Sequence, residues 1–290
     1  MSDDQLRFLI AGEHAGSRYV FAAPRRVPLG AAGIHLSSRT GSSLEFKDHR
    51  EYQPGDDLRR IDWNAYARSD RLILRLYQDE VSPHVDLIID GSRSMALGET
   101  AKLEATLGIG AAMATAATNA GFAHTVWLAR DGVARIDGSN ARPANWGTIS
   151  FDYAGNLLDS LLRARPAWRP HGIRVLISDL FWMGDPLLAL QHLTRGASAV
   201  VVLQIVAGAD LDPPDRGNMR FVDSETQEVR EIVVDAVAIK RYRENVARHY
   251  ENWHNACRQA GAALIQLVAE PLVRDWRLEQ LVAADVLRIA

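Results

Sequence analysis

Val85-Asp86-Leu87-Ile88-Ile89-Asp90-Gly91-Ser92-Arg93-Ser94-Met95 decides the fold. An apolar run interrupted only by Asp86 reads as a strand covered on both faces, and it stops abruptly at one aspartate followed by two alternating serines. If the strand is parallel to its neighbours, Asp90, Ser92 and Ser94 arrive at the carboxyl edge of the sheet, where open α/β sheets place their ligands. One carboxylate and two hydroxyls are hard oxygen donors of low total charge. They suit Mg²⁺, or Mn²⁺, holding some of its waters and leaving a position for an outside ligand. The plainer alternative is a polar turn in which Asp90 and Ser94 cap the next helix.

Outward from this strand, the chain alternates strand and helix signals in the manner of a parallel sheet. Residues 101–120 are rich in small side chains and end at Gly121, which predicts a smooth helix able to lie close to the sheet. Residues 123–129 and 133–136 flank Arg130-Asp131-Gly132, a hairpin signal. Helical patterns follow at 156–165, 186–195 and 236–258, strands at 199–206 and 262–268, a short hairpin around Asp223, and a closing helix at Trp276 to Val282. Ile173-Arg174-Val175-Leu176-Ile177-Ser178-Asp179 is a second buried strand that ends in an aspartate. Asp179 alone reads equally well as a turn residue. Two acidic strand ends in one sheet are harder to assign to turns.

Asp90-Gly91-Ser92-Arg93-Ser94 resembles the metal-ion-dependent adhesion site of von Willebrand factor A domains, which implies that Asp179 joins the ion from a later strand end. Such sites take a threonine from a loop between the two aspartates. This chain departs there: Asn156 stands in Ala154-Gly155-Asn156-Leu157, and Thr148 lies farther upstream. Either residue could donate an oxygen.

Composition sets the bounds. With 290 residues, 47% of them hydrophobic, the chain is long enough for one large core and an appendage. A formal charge of −3 gives no broad pull toward nucleic acid or an anionic membrane. The single cysteine, Cys257, excludes a disulfide within the chain. No apolar run reaches the ~18 residues of a membrane span, and Met1-Ser2-Asp3-Asp4-Gln5 lacks the features of a signal peptide, so the expected location is cytoplasmic, without membrane insertion.

A second distinctive stretch lies upstream. Arg50, Tyr52, Gly55, Asp56, Asp57, Arg59, Ile61, Asp62, Trp63, Ala67 and Arg68 form the pattern Arg-x-Tyr-x-x-Gly-Asp-Asp-x-Arg-x-Ile-Asp-Trp followed by Ala-Arg. Arginines and carboxylates so close in sequence neutralise one another, which predicts a structural network. The pattern, the later Asp-x-Ser-x-Ser-Met and the segment Asp223-Ser224-Glu225-Thr226 closely resemble the bacterial family called domain of unknown function 58. That resemblance implies an α/β, von Willebrand factor A-like, Rossmann-type fold: a mostly parallel sheet flanked by helices with an N-terminal β-rich extension packed on it. The expected division is a partly flexible segment over 1–34, the extension over 35–83, and the main domain over 84–290. It further implies a MoxR-type AAA+ ATPase as partner and a client protein that the two assemble or activate.

Catalysis has no visible machinery. Asp90-Gly91-Ser92 lacks the second carboxylate of a haloacid-dehalogenase phosphatase, Ser92 and Ser94 lie outside Gly-x-Ser-x-Gly, and no phosphate-binding loop is present. The expectation is therefore a non-enzymatic, Mg²⁺-dependent interaction module. The alternatives are a metal-assisted hydrolase using Asp56, Asp57, Asp62 and Glu80, and a scaffold whose ion site is vestigial because Asn156 replaces threonine.

Overall fold

The computed structural model describes residues 2–22, 45–53, 56, 58–78, 83–98, 100–163, 166–213 and 216–290. In chain order they form α1 (Asp3–Gly16), β1 (Tyr19–Phe21), β2 (Glu45–Glu51), α2 (Trp63–Ser69), β3 (Ile73–Gln78), β4 (His84–Asp90), α3 (Lys102–Asn119), β5 (Ala123–Arg130), β6 (Gly132–Arg135), α4 (Leu157–Arg163) and β7 (Ile173–Ser178). The chain continues through α5 (Pro186–Thr194), β8 (Ala199–Val206), α6 (Gly208–Leu211), β9 (Gly217–Val222), β10 (Val229–Val234), α7 (Ala236–Ala260), β11 (Ala263–Val268), α8 (Ala269–Asp275), α9 (Glu279–Ala283) and β12 (Leu287–Ile289). Two units result: residues 1–28 with 83–290, and residues 29–82.

Every side chain of β4 and of β7 is buried, as strands sandwiched between helices require. They sit at the centre of a six-stranded sheet ordered β11-β8-β7-β4-β5-β6. β4 pairs in parallel with both β5 and β7, β8 is parallel to β7 and to β11, and only the edge strand β6 runs antiparallel. This is the doubly wound order, in which the winding reverses between β4 and β7. A mostly parallel sheet flanked by helices was implied by the von Willebrand factor A resemblance, and this is what forms. One core lies beneath α3, built from Leu87, Ile89, Leu107, Ile109, Val175 and Leu203; the other lies beneath α4, α5 and α7, around Ile88, Leu176, Leu190 and Trp253.

Of the segment expected over 1–34, the described residues 2–22 form α1 and β1. Ser2 caps Gln5 N at 3.3 Å, Asp3 and Asp4 occupy the first turn of α1, and Phe8, Leu9, Gly12, Ala15 and Gly16 are buried. A Cβ at Gly12 would stand 2.0 Å from Gly108 O, so the backbones of α1 and α3 touch where neither helix carries a side chain. β1 then pairs antiparallel with β12, joining the two ends of this unit. The closing helix expected at Trp276–Val282 is corrected. α8 stops at Trp276, which takes φ +48°, and its ring covers Gly108 before α9 starts at Glu279.

In the smaller unit, β2 and β3 pair antiparallel from Glu45↔Gln78 to Glu51↔Ile73. Arg50 Nη2 donates to Asp56 Oδ1 at 2.7 Å, and the second oxygen of Asp56 accepts from Gln53 N at 2.8 Å. The Arg50 hydrogen bond foremost, then the Gln53 amide, hold this carboxyl below its usual range. Asp62 caps α2 through Asn64 N and Ala65 N at 3.0 and 3.1 Å, Arg68 Nε donates to Asn64 O at 3.1 Å, and Trp63 meets Tyr66 edge-on at 6.1 Å. Tyr52 N donates to Leu72 O, and Arg59 lies in a 3-10 turn over Leu58–Arg60. Gly55, Asp57 and Glu80 lie outside the described residues.

Candidate functional site

Asp90 ends β4 and Asp179 follows β7, so the switch point of the sheet places both carboxylates at its carboxyl edge. The loop after β4 is held from three sides. Gly91 lies against β5, where a Cβ would meet Arg130 Cγ at 2.7 Å, and Gly91 and Arg93 exchange backbone hydrogen bonds with Tyr153. Met95, fully buried, anchors the loop from below and accepts from Asp179 N through its sulfur at 3.2 Å. Together these contacts aim Ser92 and Ser94 into a cleft of about 260 Å³ lined by Asp90, Ser92, Ser94, Asn156, Asp179, Phe181, Trp182, Met183, Asp223, Glu225 and Thr226, among others.

Asp90 is 0% exposed. Its Oδ1 accepts from Ser92 N at 2.9 Å and its Oδ2 from Ser178 Oγ at 2.6 Å, yet no lysine or arginine among the described residues pairs with it. Burial first, and the neighbouring Asp179 charge second, raise its pKa to about 6 against the opposing pull of those hydrogen bonds. Asp179 differs. Its Oδ2 receives Lys102 Nζ at 2.7 Å, its Oδ1 receives Phe181 N at 3.0 Å, and its backbone oxygen receives Gln204 Nε2 at 3.0 Å. Lys102 also lies 3.2 Å from Asp210 Oδ2. Burial pulls the Lys102 pKa down, but the two carboxylates more than offset it, so the ammonium stays charged.

The donor set fits a hard divalent ion at Asp90, Ser92 and Ser94. Neighbouring ligands of an octahedral Mg²⁺, each about 2.0–2.1 Å from the ion, stand about 2.9 Å apart. Ser92 Oγ and Ser94 Oγ are hydrogen-bonded to each other at 3.0 Å, a separation that one ion could also span. Asn156 is placed in the same cleft but works as a cap: its Oδ1 accepts from Leu158 N at 2.8 Å at the start of α4, and its amide donates to Met183 O. Thr148 is not brought to the cleft; it lines a separate depression with Arg130, Arg135 and Asp137. Among the described residues, no three His, Cys, Asp or Glu side chains gather as a metal cage.

Sequence reasoning missed three participants. Lys102 is legible only as a lysine in the first turn of α3, and Ser178 only as the residue before Asp179. Glu225 comes from the turn between β9 and β10, where its Oε1 accepts from Ser94 N at 3.1 Å across 131 positions of chain. No helix among the described residues is long and apolar enough to cross a membrane.

Residues 48–252 match the family described as "Protein of unknown function DUF58". Uncharacterized proteins of Mycobacterium bovis and Mycobacterium tuberculosis are each 27% identical over 272 residues, covering 88% of this chain and 81% of theirs. Among solved structures, the conserved hypothetical protein BatB from Bacteroides thetaiotaomicron aligns with 69% of this chain and 98% of its own at 10% identity and a TM-score of 0.39. A von Willebrand factor type A structure from Catenulispora acidiphila aligns with 46% of this chain and 35% of its own at 16% identity and a TM-score of 0.32.

Proposed function

The chain belongs to the DUF58 family of proteins of unknown function, and from that membership and the cleft at the β4–β7 switch point we propose that it is a non-enzymatic docking module whose partner binds through an ion. The buried, unpaired Asp90 carboxylate carries the proposal. A charge taken wholly out of water without a counter-ion is costly, and a divalent cation held by Asp90, Ser92 and Ser94 removes that cost. Because Lys102 already serves Asp179, the ion would keep positive charge with which to attract an acidic side chain.

The rim suits a protein partner. Phe181 and Met183, 39% and 83% exposed, flank the cleft, so the reading calls for a carboxylate presented beside apolar side chains. The family resemblance supplies the partner class: a MoxR-type AAA+ ATPase, acting with this chain on a client protein. The hydrolase alternative loses ground because Asp56 is engaged by Arg50 and Asp62 caps α2.

Calorimetric titration of Mg²⁺ and Mn²⁺ into the full chain, wild type beside Asp90→Ala with folding checked by circular dichroism, tests the dock. Binding by wild type and none by the folded variant supports it. No binding by either overturns it in favour of a scaffold held from beneath by the Lys102–Asp179 pair. Co-elution with a purified MoxR-type ATPase in Mg²⁺ but not in EDTA tests the partner.

A further inference from the structure

Neither donor expected from the loop between the two aspartates offers the cleft an unengaged oxygen. Asn156 is committed to capping α4, and Thr148 lies elsewhere. Into the same cleft the β9–β10 turn inserts a carboxylate. Glu225 Oε1 accepts from Ser94 N at 3.1 Å, Arg93 Nη1 donates to Glu225 O at 3.3 Å, and Ser224 Oγ donates to Glu225 Oε2. The turn is built to hold that position. Asp223 Oδ1 accepts from Glu225 N, Thr226 N and Thr226 Oγ1 at 3.0, 2.6 and 2.9 Å, and Gln227 takes φ +61° to close it.

We propose that Glu225 is a ligand-side residue of the ion site, replacing the expected loop donor, so that ion binding and docking of the β9–β10 turn are one event. This rests on the ion-dependent reading above. Without a cation, Glu225 and Asp90 are two carboxylates facing one cleft that contains no arginine or lysine among its lining residues. With a cation, the Glu225 carboxylate gains a counter-charge, and its approach to Ser94 N, beside the hydroxyl pair, acquires a cause. The consequence is a built-in competitor. Asp90 and Glu225 together balance the ion's two charges, so the positive charge that draws a partner's acidic side chain appears as Glu225 is displaced, and displacement frees the turn.

The test uses the full chain with Mn²⁺ alone as the probe. Titration compares wild type, Glu225→Gln and Asp90→Ala, while hydrogen exchange follows residues 217–234 with and without Mn²⁺. The expected result is Mn²⁺ affinity weakened by at least about tenfold in Glu225→Gln, together with Mn²⁺-dependent slowing of exchange across residues 223–227 in wild type only. Equal affinity in wild type and Glu225→Gln, or exchange in the turn that ignores Mn²⁺ while wild type binds it, overturns the role of Glu225 and leaves the dock standing. If wild type binds no Mn²⁺, the dock and Glu225's part in it fall together. The exchange measurement on wild type needs no variant, so a misfolded substitution does not decide the outcome.

Discussion

Lys102 Nζ lies 2.7 Å from Asp179 Oδ2, with the two side chains 1% and 3% exposed. The pair ties the first turn of α3 to the end of β7 beneath the cleft. Breaking a buried pair from one side leaves the other charge stranded, whereas removing both relieves it. Lys102→Met is expected to cost roughly 3–5 kcal/mol, and Lys102→Met with Asp179→Asn substantially less. Urea unfolding of the single and double variants measures the coupling; equal losses in both would show that the ion pair is not the source.

The Asp90 carboxyl titrates at about 6 in the folded chain, above its ordinary 3.8. A raised carboxyl pKa means that the folded state keeps its proton where the unfolded state has released it. The burden of burying the charge is therefore absent below about 3.8 and fully felt above about 6, a span of roughly 3 kcal/mol. In EDTA, Asp90→Asn should gain stability relative to wild type as pH rises from 4 to 7, and Mg²⁺ should close that gap at pH 7. Melting curves of both proteins across that range check it; a difference that does not change with pH counts against an ionised, buried Asp90.

Gly12→Ala probes the helix contact that the N-terminus makes. The added methyl would meet Gly108 O at 2.0 Å, and that neighbour is backbone, which has no rotamer to change. Overpacking costs about 1–3 kcal/mol, and this contact belongs at the upper end. Thermal unfolding, with limited proteolysis of residues 3–16, should show α1 released before the sheet unfolds; an unchanged midpoint would mean that α1 shifts without loss.

In the smaller unit, Asp62→Ala removes the cap of a helix of seven residues. A cap contributes about 1 kcal/mol, a large share for so short a helix. Faster exchange at Asn64 N and Ala65 N, with the exchange of β4 unchanged, is the expected signature. Equal acceleration in both places would point to global destabilisation.

Local pattern was sufficient for much of the architecture. The apolar runs ending at Asp90 and Asp179 specify buried strands, the small-residue stretch specifies α3, and Asp131-Gly132 specifies the β5–β6 hairpin, because periodicity and turn chemistry act between near neighbours in sequence. α1, by contrast, lies in a stretch expected to be partly flexible, although Ser2 caps it and Asp3 and Asp4 open its first turn. What the stretch lacked was any sign that Gly12 faces Gly108, since a close approach of two backbones belongs to the pair and not to either helix.

The sequence by itself determined that Asp90, Ser92, Ser94 and Asp179 stand at strand ends, because a strand's period and its terminating residues are local properties. Only the tertiary structure decided which of those oxygens are free to act. Lys102 reaches Asp179 from a helix 77 positions away, Ser178 crosses 88 positions to Asp90, and Glu225 enters from a turn 131 positions beyond Ser94. Charge and hydrogen-bond partners are matters of distance in space, and a doubly wound sheet brings together at its switch point side chains that no local pattern connects.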